Sequence, residues 1–182
     1  MGITTETFSP HLESNVSADD CVGNKISDAQ IEIQYPIRYT RTKIHDPLPS
    51  VLEQNRVIGA STNASISYAY KILRTQVVKK IQSNGWNSIA VLAARSGEGA
   101  TLTAVNLAIS IAMDPRHTVL LVDLNFKRPA VHRYFGYQAE VGIEDILLRN
   151  TSLEKALFNP GVEGLLVLPC CGKISGSSEL LN

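Results

Sequence analysis

Seven consecutive residues, Ser96-Gly97-Glu98-Gly99-Ala100-Thr101-Leu102, combine two glycines, a hydroxyl and the start of an apolar helical run. Glycines let successive backbone N–H groups turn inward around an oxyanion. A helix amino terminus behind them adds unpaired donors and the positive end of its dipole. Thr101 stands where such loops place the hydroxyl that holds magnesium. Two usual partners are missing. The lysine that meets the outer phosphates is replaced by Ala100, and the first glycine of G-x-x-x-x-G-K-[ST] by Ala94. The chemistry on offer is a backbone cradle for phosphate without its customary cation.

The cradle needs a strand before it and a helix after it, and the sequence supplies both. Ile89–Ala93 is an unbroken apolar run that suits a strand buried on both faces. Leu102–Met113 is apolar almost all round, as in a helix sandwiched between layers, and Asp114-Pro115 ends it. Thr118–Val122 reads as a second buried strand. Strand, helix and strand make a βαβ unit with a right-handed crossover and parallel strands. Upstream, Ile66, Tyr70, Leu73, Val77 and Ile81 recur at helical spacing, with Ser65 as cap, Lys79 and Lys80 in the last turn and Asn84-Gly85 as stop. Downstream, short helices are expected near Ile143 and Ser152, and a third strand at Leu165–Leu168. The predicted fold class is α/β, a parallel sheet flanked by helices, partial and P-loop NTPase-like, with a flexible amino-terminal arm. The arm is residues 1–60, polar and interrupted by Pro36, Pro47 and Pro49, with one short strand expected at Ile31–Tyr35. Residues 61–182 form the domain.

Composition narrows the function classes. The 182 residues are 44% hydrophobic and 19% charged, which is globular. Formal net charge is zero, divided as −3 over residues 1–60 and +3 over 61–182. That balance gives no argument for nucleic acid or an acidic membrane surface. Three cysteines, Cys21 and the adjacent Cys170-Cys171, fit reduced thiols in a cytosolic protein and not a disulfide scaffold. Neither a signal peptide nor an apolar run of the ~20 residues that a membrane span needs is visible. Tyr68, Tyr70, Tyr134 and Tyr137 read as packing or amphipathic contacts before phospho-acceptors, and His132 as a packing or hydrogen-bonding residue.

Several blocks carry a family resemblance. They are N-R-V-I (55–58), L-R-T-Q-V (73–77), G-W-N-S-I (85–89), G-E-G-A-T-L-T-A-V-N-L-A-I-S-I-A (97–112), T-V-L-L-V-D-L-N-F-K-R-P (118–129), H-R-Y-F-G (132–136) and S-S-E-L-L (177–181). In this order they resemble the cytoplasmic kinase domain of bacterial tyrosine autokinases. These are the capsular and exopolysaccharide kinases of the MinD/ParA-like P-loop class, and the form in exosortase-linked clusters is the most similar. The resemblance implies that Ser96, Gly97, Glu98, Gly99, Ala100, Thr101 and Leu102 hold ATP. It implies that Thr101 and Asp123 hold magnesium and that Asp123 and Arg128 are the catalytic candidates. It also implies a homo-oligomer through the Ile66–Ile81 helix. The implied partner is an inner-membrane polysaccharide co-polymerase, and the implied location is cytoplasmic, peripheral at that membrane through the partner.

The departures from the family pattern decide how much activity to expect. The family loop P-G-E-G-K-[ST] has become Ser96-Gly97-Glu98-Gly99-Ala100-Thr101, and D-x-D has become Asp123-Leu124-Asn125. The following Arg is Lys127, with Arg128 kept. The E-x-x-R-x-x-R oligomer helix falls on Tyr68, Lys71 and Arg74. The Walker B strand, beside the loop strand in the family, has no counterpart up to Asn182, which leaves Ile89–Ala93 with an expected open edge. Removing one preorganised charge-stabilising group costs roughly 10²–10³ in rate. The sequence thus predicts a degenerate family member with weak or no ATP-dependent tyrosine kinase activity, regulatory or controlling chain length in exopolysaccharide biosynthesis. The rivals are an active kinase of the same pathway, a MinD/ParA-type ATPase and a non-functional fragment.

Overall fold

The computed structural model describes residues 42–59 and 63–172, and the backbone of residues 2–6. In chain order the strands are β1 (Gly2–Glu6), β2 (Lys43–Ile44), β3 (Ser88–Ala90), β4 (Thr118–Val122), β5 (Phe158–Asn159) and β6 (Leu165–Leu168). The helices are α1 (Pro49–Gln54), α2 (Ala64–Asn84), α3 (Ala100–Ala112), α4 (Val131–Tyr134), α5 (Ile143–Arg149) and α6 (Leu153–Ala156). The strand expected at Ile31–Tyr35, Cys21 and the S-S-E-L-L block lie outside the described residues.

One sheet holds all six strands in the order β2-β5-β6-β4-β1-β3. β4 and β6 are parallel, from Val119 opposite Leu165 to Val122 opposite Leu168. β1 is antiparallel to β4 on one side and to β3 on the other, so β3 runs in the direction of β4 and β6. The fold is α/β, with the parallel strands that a βαβ unit dictates and helices packed against them.

α3 is the centre of the core. Ala104, Val105, Ala108 and Ile111 are fully buried, and Leu107 and Ile109 nearly so. The helix packs on β4 and β6 on one side and on α2 on another. Burying each large aliphatic side chain is worth about 1.5–3 kcal/mol, so a helix apolar on nearly every face holds only where layers cover it all round. Two polar residues in it serve its neighbours. Asn106 accepts from the Ile58 N–H at 2.9 Å and donates to the Arg56 carbonyl at 3.1 Å. The Ser110 carbonyl accepts from Arg74 Nη1 at 2.9 Å, and its hydroxyl donates to the Tyr70 carbonyl. Tyr70, Leu73, Val77 and Val78 of α2 pack on the core, while Ile66 and Tyr68 are exposed. α2 starts one residue earlier than its expected cap: Asn63, not Ser65, accepts, from the Ser65 N–H. Gly85 ends it in the left-handed conformation that glycine adopts without strain.

Three further expectations are corrected by the structure. Residues 42–59, placed in the arm on composition, are ordered against the domain. β2 pairs with β5, and Val57 and Ile58 are buried in the core. Their anchor is the Asn106 side chain, a contact between residues 48 apart that no local pattern announces. Gly2–Glu6, also assigned to the arm, takes the place between β3 and β4, so the edge of β3 facing β4 is paired. The loop strand itself is shorter than expected and not buried on both faces. Ser88 and Ala90 are exposed, Ile89 is half-buried, and Leu92 beyond it is 81% exposed. Only one face packs on the core, through Ile89 and Val91.

Candidate functional site

The loop between β3 and α3 is shaped by its two glycines. Gly97 (φ 91°) and Gly99 (φ 83°) both take left-handed backbone, and a Cβ on either would meet nothing within 4 Å. Their role is conformational: only glycine adopts these angles cheaply. Within the loop the Glu98 carboxylate accepts from the Arg95 N–H at 3.1 Å. Gly99 caps α3 without a side-chain acceptor, and the first intrahelical bond runs from the Thr103 N–H to its carbonyl at 2.8 Å. The leading N–H groups of a thirteen-residue helix therefore face the loop with no side-chain cap.

The opposite wall comes from the turn after β4. Asp123 is fully buried. Its Oδ1 accepts from the Asn125 N–H at 3.0 Å, and its Oδ2 from the N–H groups of Ala130 at 2.9 Å and Val131 at 3.1 Å. The carboxylate is the hub of this turn. Asn125 continues it by accepting from the Arg128 N–H at 3.1 Å. Arg128 then crosses to the loop, where Nη1 donates to Ser96 Oγ at 2.9 Å.

Loop and turn enclose a cleft of about 780 Å³. It is lined by Val91 to Thr101 and by Leu124, Asn125, Lys127, Arg128, Ala130 and Tyr134. Of the residues expected to hold nucleotide, Ser96, Gly97, Glu98, Gly99, Ala100 and Thr101 line it, and Leu102 does not. Arg128 lines it. Asp123 does not, because both its oxygens are directed into the turn. Lys127 and Tyr134 were not assigned to the site from sequence. Lys127 was legible as the residue after Asn125-Phe126, whereas Tyr134 sits on a four-residue helix whose orientation only the fold determines.

These groups fit a phosphate-bearing ligand at the level of backbone and charge: an uncapped helix start, two left-handed glycines, and Lys127 and Arg128 on the facing wall. The magnesium set is less complete. Thr101 is at the cleft, but Asp123 is not in its lining and its carboxylate already accepts from three backbone donors. No group of three or more His, Cys, Asp or Glu residues able to hold a metal occurs among the described residues.

Behind the turn, the fully buried Cys170 and the partly buried Cys171 follow β6. Burial first, and the nearby Glu144 carboxylate second, push both thiols up to about 12. Glu144 Oε1 accepts from the N–H groups of Cys171 and Gly172. His132 sits beside them and is lowered below its ordinary value, by burial first and then by Arg133, which keeps the imidazole neutral near pH 7.

Comparison with known proteins gives the site its context. No family model matches the chain. Over 130 residues it is 32% identical to the tyrosine-protein kinase YwqD of Bacillus subtilis (strain 168), which covers 71% of this chain and 54% of that protein. Over 157 residues it is 23% identical to the tyrosine-protein kinase ptk of Acinetobacter johnsonii, covering 83% of this chain and 21% of that one. The fold superposes on the BceF tyrosine kinase domain with a TM-score of 0.56 and 22% identity, over 78% of this chain and 60% of that one. In sequence the chain is similar to bacterial tyrosine-protein kinases, and its fold is that of their kinase domains. It also superposes on the chimerical protein CapA2B2, with a TM-score of 0.55 and 21% identity over 77% of this chain and 59% of the other. The chain spans about half the length of YwqD and about a fifth of ptk. Among its described residues no helix is long and apolar enough to cross a membrane.

Proposed function

We propose that this chain is a degenerate tyrosine autokinase of exopolysaccharide biosynthesis and export. In this reading it has lost phosphoryl transfer and acts as a regulatory or chain-length-control partner. It engages the cytoplasmic end of an inner-membrane polysaccharide co-polymerase, and the exposed face of α2 is its homo-oligomer contact. The observation that carries the reading is Asp123. Its carboxylate is fully buried and holds three backbone N–H groups of its own turn, while Asn125, two residues on, is uncharged. With alanine at 100 and asparagine at 125, the site keeps a phosphate cradle but lacks the lysine and the second acid of the family's D-x-D for phosphoryl transfer. When bound, ATP with magnesium would supply the transferable phosphoryl group. The chain's own Gly97, Gly99 and α3 start would hold its phosphates, with Thr101 toward the metal and Arg128 and Lys127 on the facing wall.

The test is incubation of the chain with magnesium and ATP, followed by phosphotyrosine immunoblotting and, separately, titration with a fluorescent ADP analogue. Binding without phosphotyrosine is the expected result. Magnesium-dependent phosphotyrosine in the unaltered chain would overturn the loss of transfer. A second reading, an active ATP-dependent kinase, has one observation in its favour: two cations line the cleft wall opposite the alanine. It requires phosphotyrosine that disappears with Arg128→Ala or Lys127→Ala.

A further inference from the structure

β3 joins the sheet through β1. In the strand order β3 is terminal, and its pairing runs through Gly2 with Ala90, Ile3 with Ile89 and Thr4 with Ser88. The other edge of β1 pairs over its whole length with β4, from Gly2 opposite Val122 to Glu6 opposite Thr118. Neighbouring strands lie about 4.8 Å apart, so β3 and β4 stand two spacings from each other, beyond direct hydrogen bonding. Closing that gap without β1 would move β3 by a full strand width. The phosphate loop follows β3 directly, and the Asp123–Arg128 turn follows β4 directly. The bond of 2.9 Å between Arg128 and Ser96 connects the two across the cleft. A shift of one strand width would break it. Ile3, Thr4 and Thr5 are β-branched, the residue type that suits extended backbone.

We infer that the space between β3 and β4 is a strand-acceptor site for an extended peptide. The chain fills it in cis with Gly2–Glu6, and this pairing sets the distance between the phosphate loop and the turn that faces it. The ligand class is a short β-branched segment bound antiparallel to both neighbours through main-chain hydrogen bonds, the mode by which sheets capture peptides. A centrally paired strand tolerates no proline, because the ring removes a ladder donor. The site stands on sheet pairing alone and is independent of whether the cleft binds nucleotide.

The experiment is amide hydrogen exchange, without nucleotide, on the full chain, on Thr4→Pro, on Thr4→Val and on a chain lacking residues 2–6. Exchange at residues 88–90 and 118–122 is expected to speed up about 10-fold or more in Thr4→Pro and in the deletion, and to stay unchanged in Thr4→Val, since opening a paired strand releases its amides. A synthetic peptide of residues 1–8 should restore protection to the deleted chain saturably. Loss of cooperative melting in Thr4→Pro but not in Thr4→Val would be the same result read on the whole domain. Unchanged protection in Thr4→Pro would overturn the site. Protection in the full chain that falls on dilution, with a dimer in sedimentation, would overturn the cis assignment.

Discussion

Arg128 Nη1 donates to Ser96 Oγ at 2.9 Å, joining the turn after β4 to the phosphate loop across 32 residues of sequence. The family loop has proline at that position, which offers no hydroxyl. Ser96 thus gives Arg128 an acceptor in a cleft that lacks lysine at 100. If the guanidinium replaces part of the lost charge, Arg128→Ala should weaken binding of a fluorescent ADP analogue about 10-fold. Ala100→Lys should strengthen it by a similar factor, each corresponding to one charge-assisted contact of ~1.5–3 kcal/mol reduced by solvent. Equal affinities for all three proteins in titrations at fixed salt would show that the cleft does not read phosphate through these side chains.

Asn106 is 1% exposed and holds the backbone of residues 56–58 on α3 with both ends of its amide. Asn106→Leu keeps much of the volume but leaves the Ile58 N–H and the Arg56 carbonyl without this partner. An unsatisfied buried group costs about 1–3 kcal/mol, so urea denaturation should show a loss of roughly 2–4 kcal/mol. Exchange at Val57 and Ile58 should rise before that of α3. A loss below about 0.5 kcal/mol would show that solvent reaches this segment.

Much of this architecture could be read from periodicity, and the limits of the reading have physical causes. The strand Thr118–Val122 and the helix behind the loop are predominantly apolar runs between breakers, where burial and local propensity agree. Leu165–Leu168 followed from the same logic. The order of residues 42–59 was hidden because its cause is a side chain in α3, distant in sequence. Gly2–Glu6 has too little apolar content to announce a central strand, since main-chain pairing with β3 and β4 supplies its place. At the site, glycine spacing located the loop that lines the cleft, whereas Asp123 was given to magnesium by the family resemblance alone. The direction of its carboxylate depends on the Asn125–Val131 turn, which has no periodic signature.

Past the end of α3, Arg116 donates to Asp114 twice through its side chain, at 3.0 and 2.9 Å, and once through its backbone N–H at 3.2 Å. The side-chain bond first, against an opposing effect of burial, holds the Asp114 carboxyl well below the usual carboxylate range. A depressed folded value means that the contribution is complete above the unfolded value of about 3.9 and is lost as pH falls below it. Arg116 is largely exposed, so the contribution should be only about 0.5–1 kcal/mol. Asp114→Asn should therefore lower the urea midpoint at pH 7 and show a shallower stability loss than the parent between pH 5 and pH 3. Parallel curves for the two proteins would mean that the pair contributes nothing measurable.

Cys170 and Cys171 provide the alkaline counterpart, with the opposite sign. Both thiols are raised to about 12, by burial first and by Glu144 second, against an ordinary value of 9.0. The unfolded chain therefore ionises first, and the stability contributed by these thiols is intact below about pH 9 and falls as pH rises toward about 12. The Glu144 carboxylate is fixed by the Cys171 and Gly172 N–H groups, and the thiolates would form beside it. Native alkylation by iodoacetamide at pH 8 should be at least ~10-fold slower than in urea, because the thiolate is the reacting species. Cys170→Ala should flatten the decline in urea midpoint between pH 9 and pH 10.5 while leaving the Asp114 acid limb unchanged. Native alkylation as fast as in urea, or an alkaline decline identical in parent and variant, would show that these thiols titrate as exposed groups.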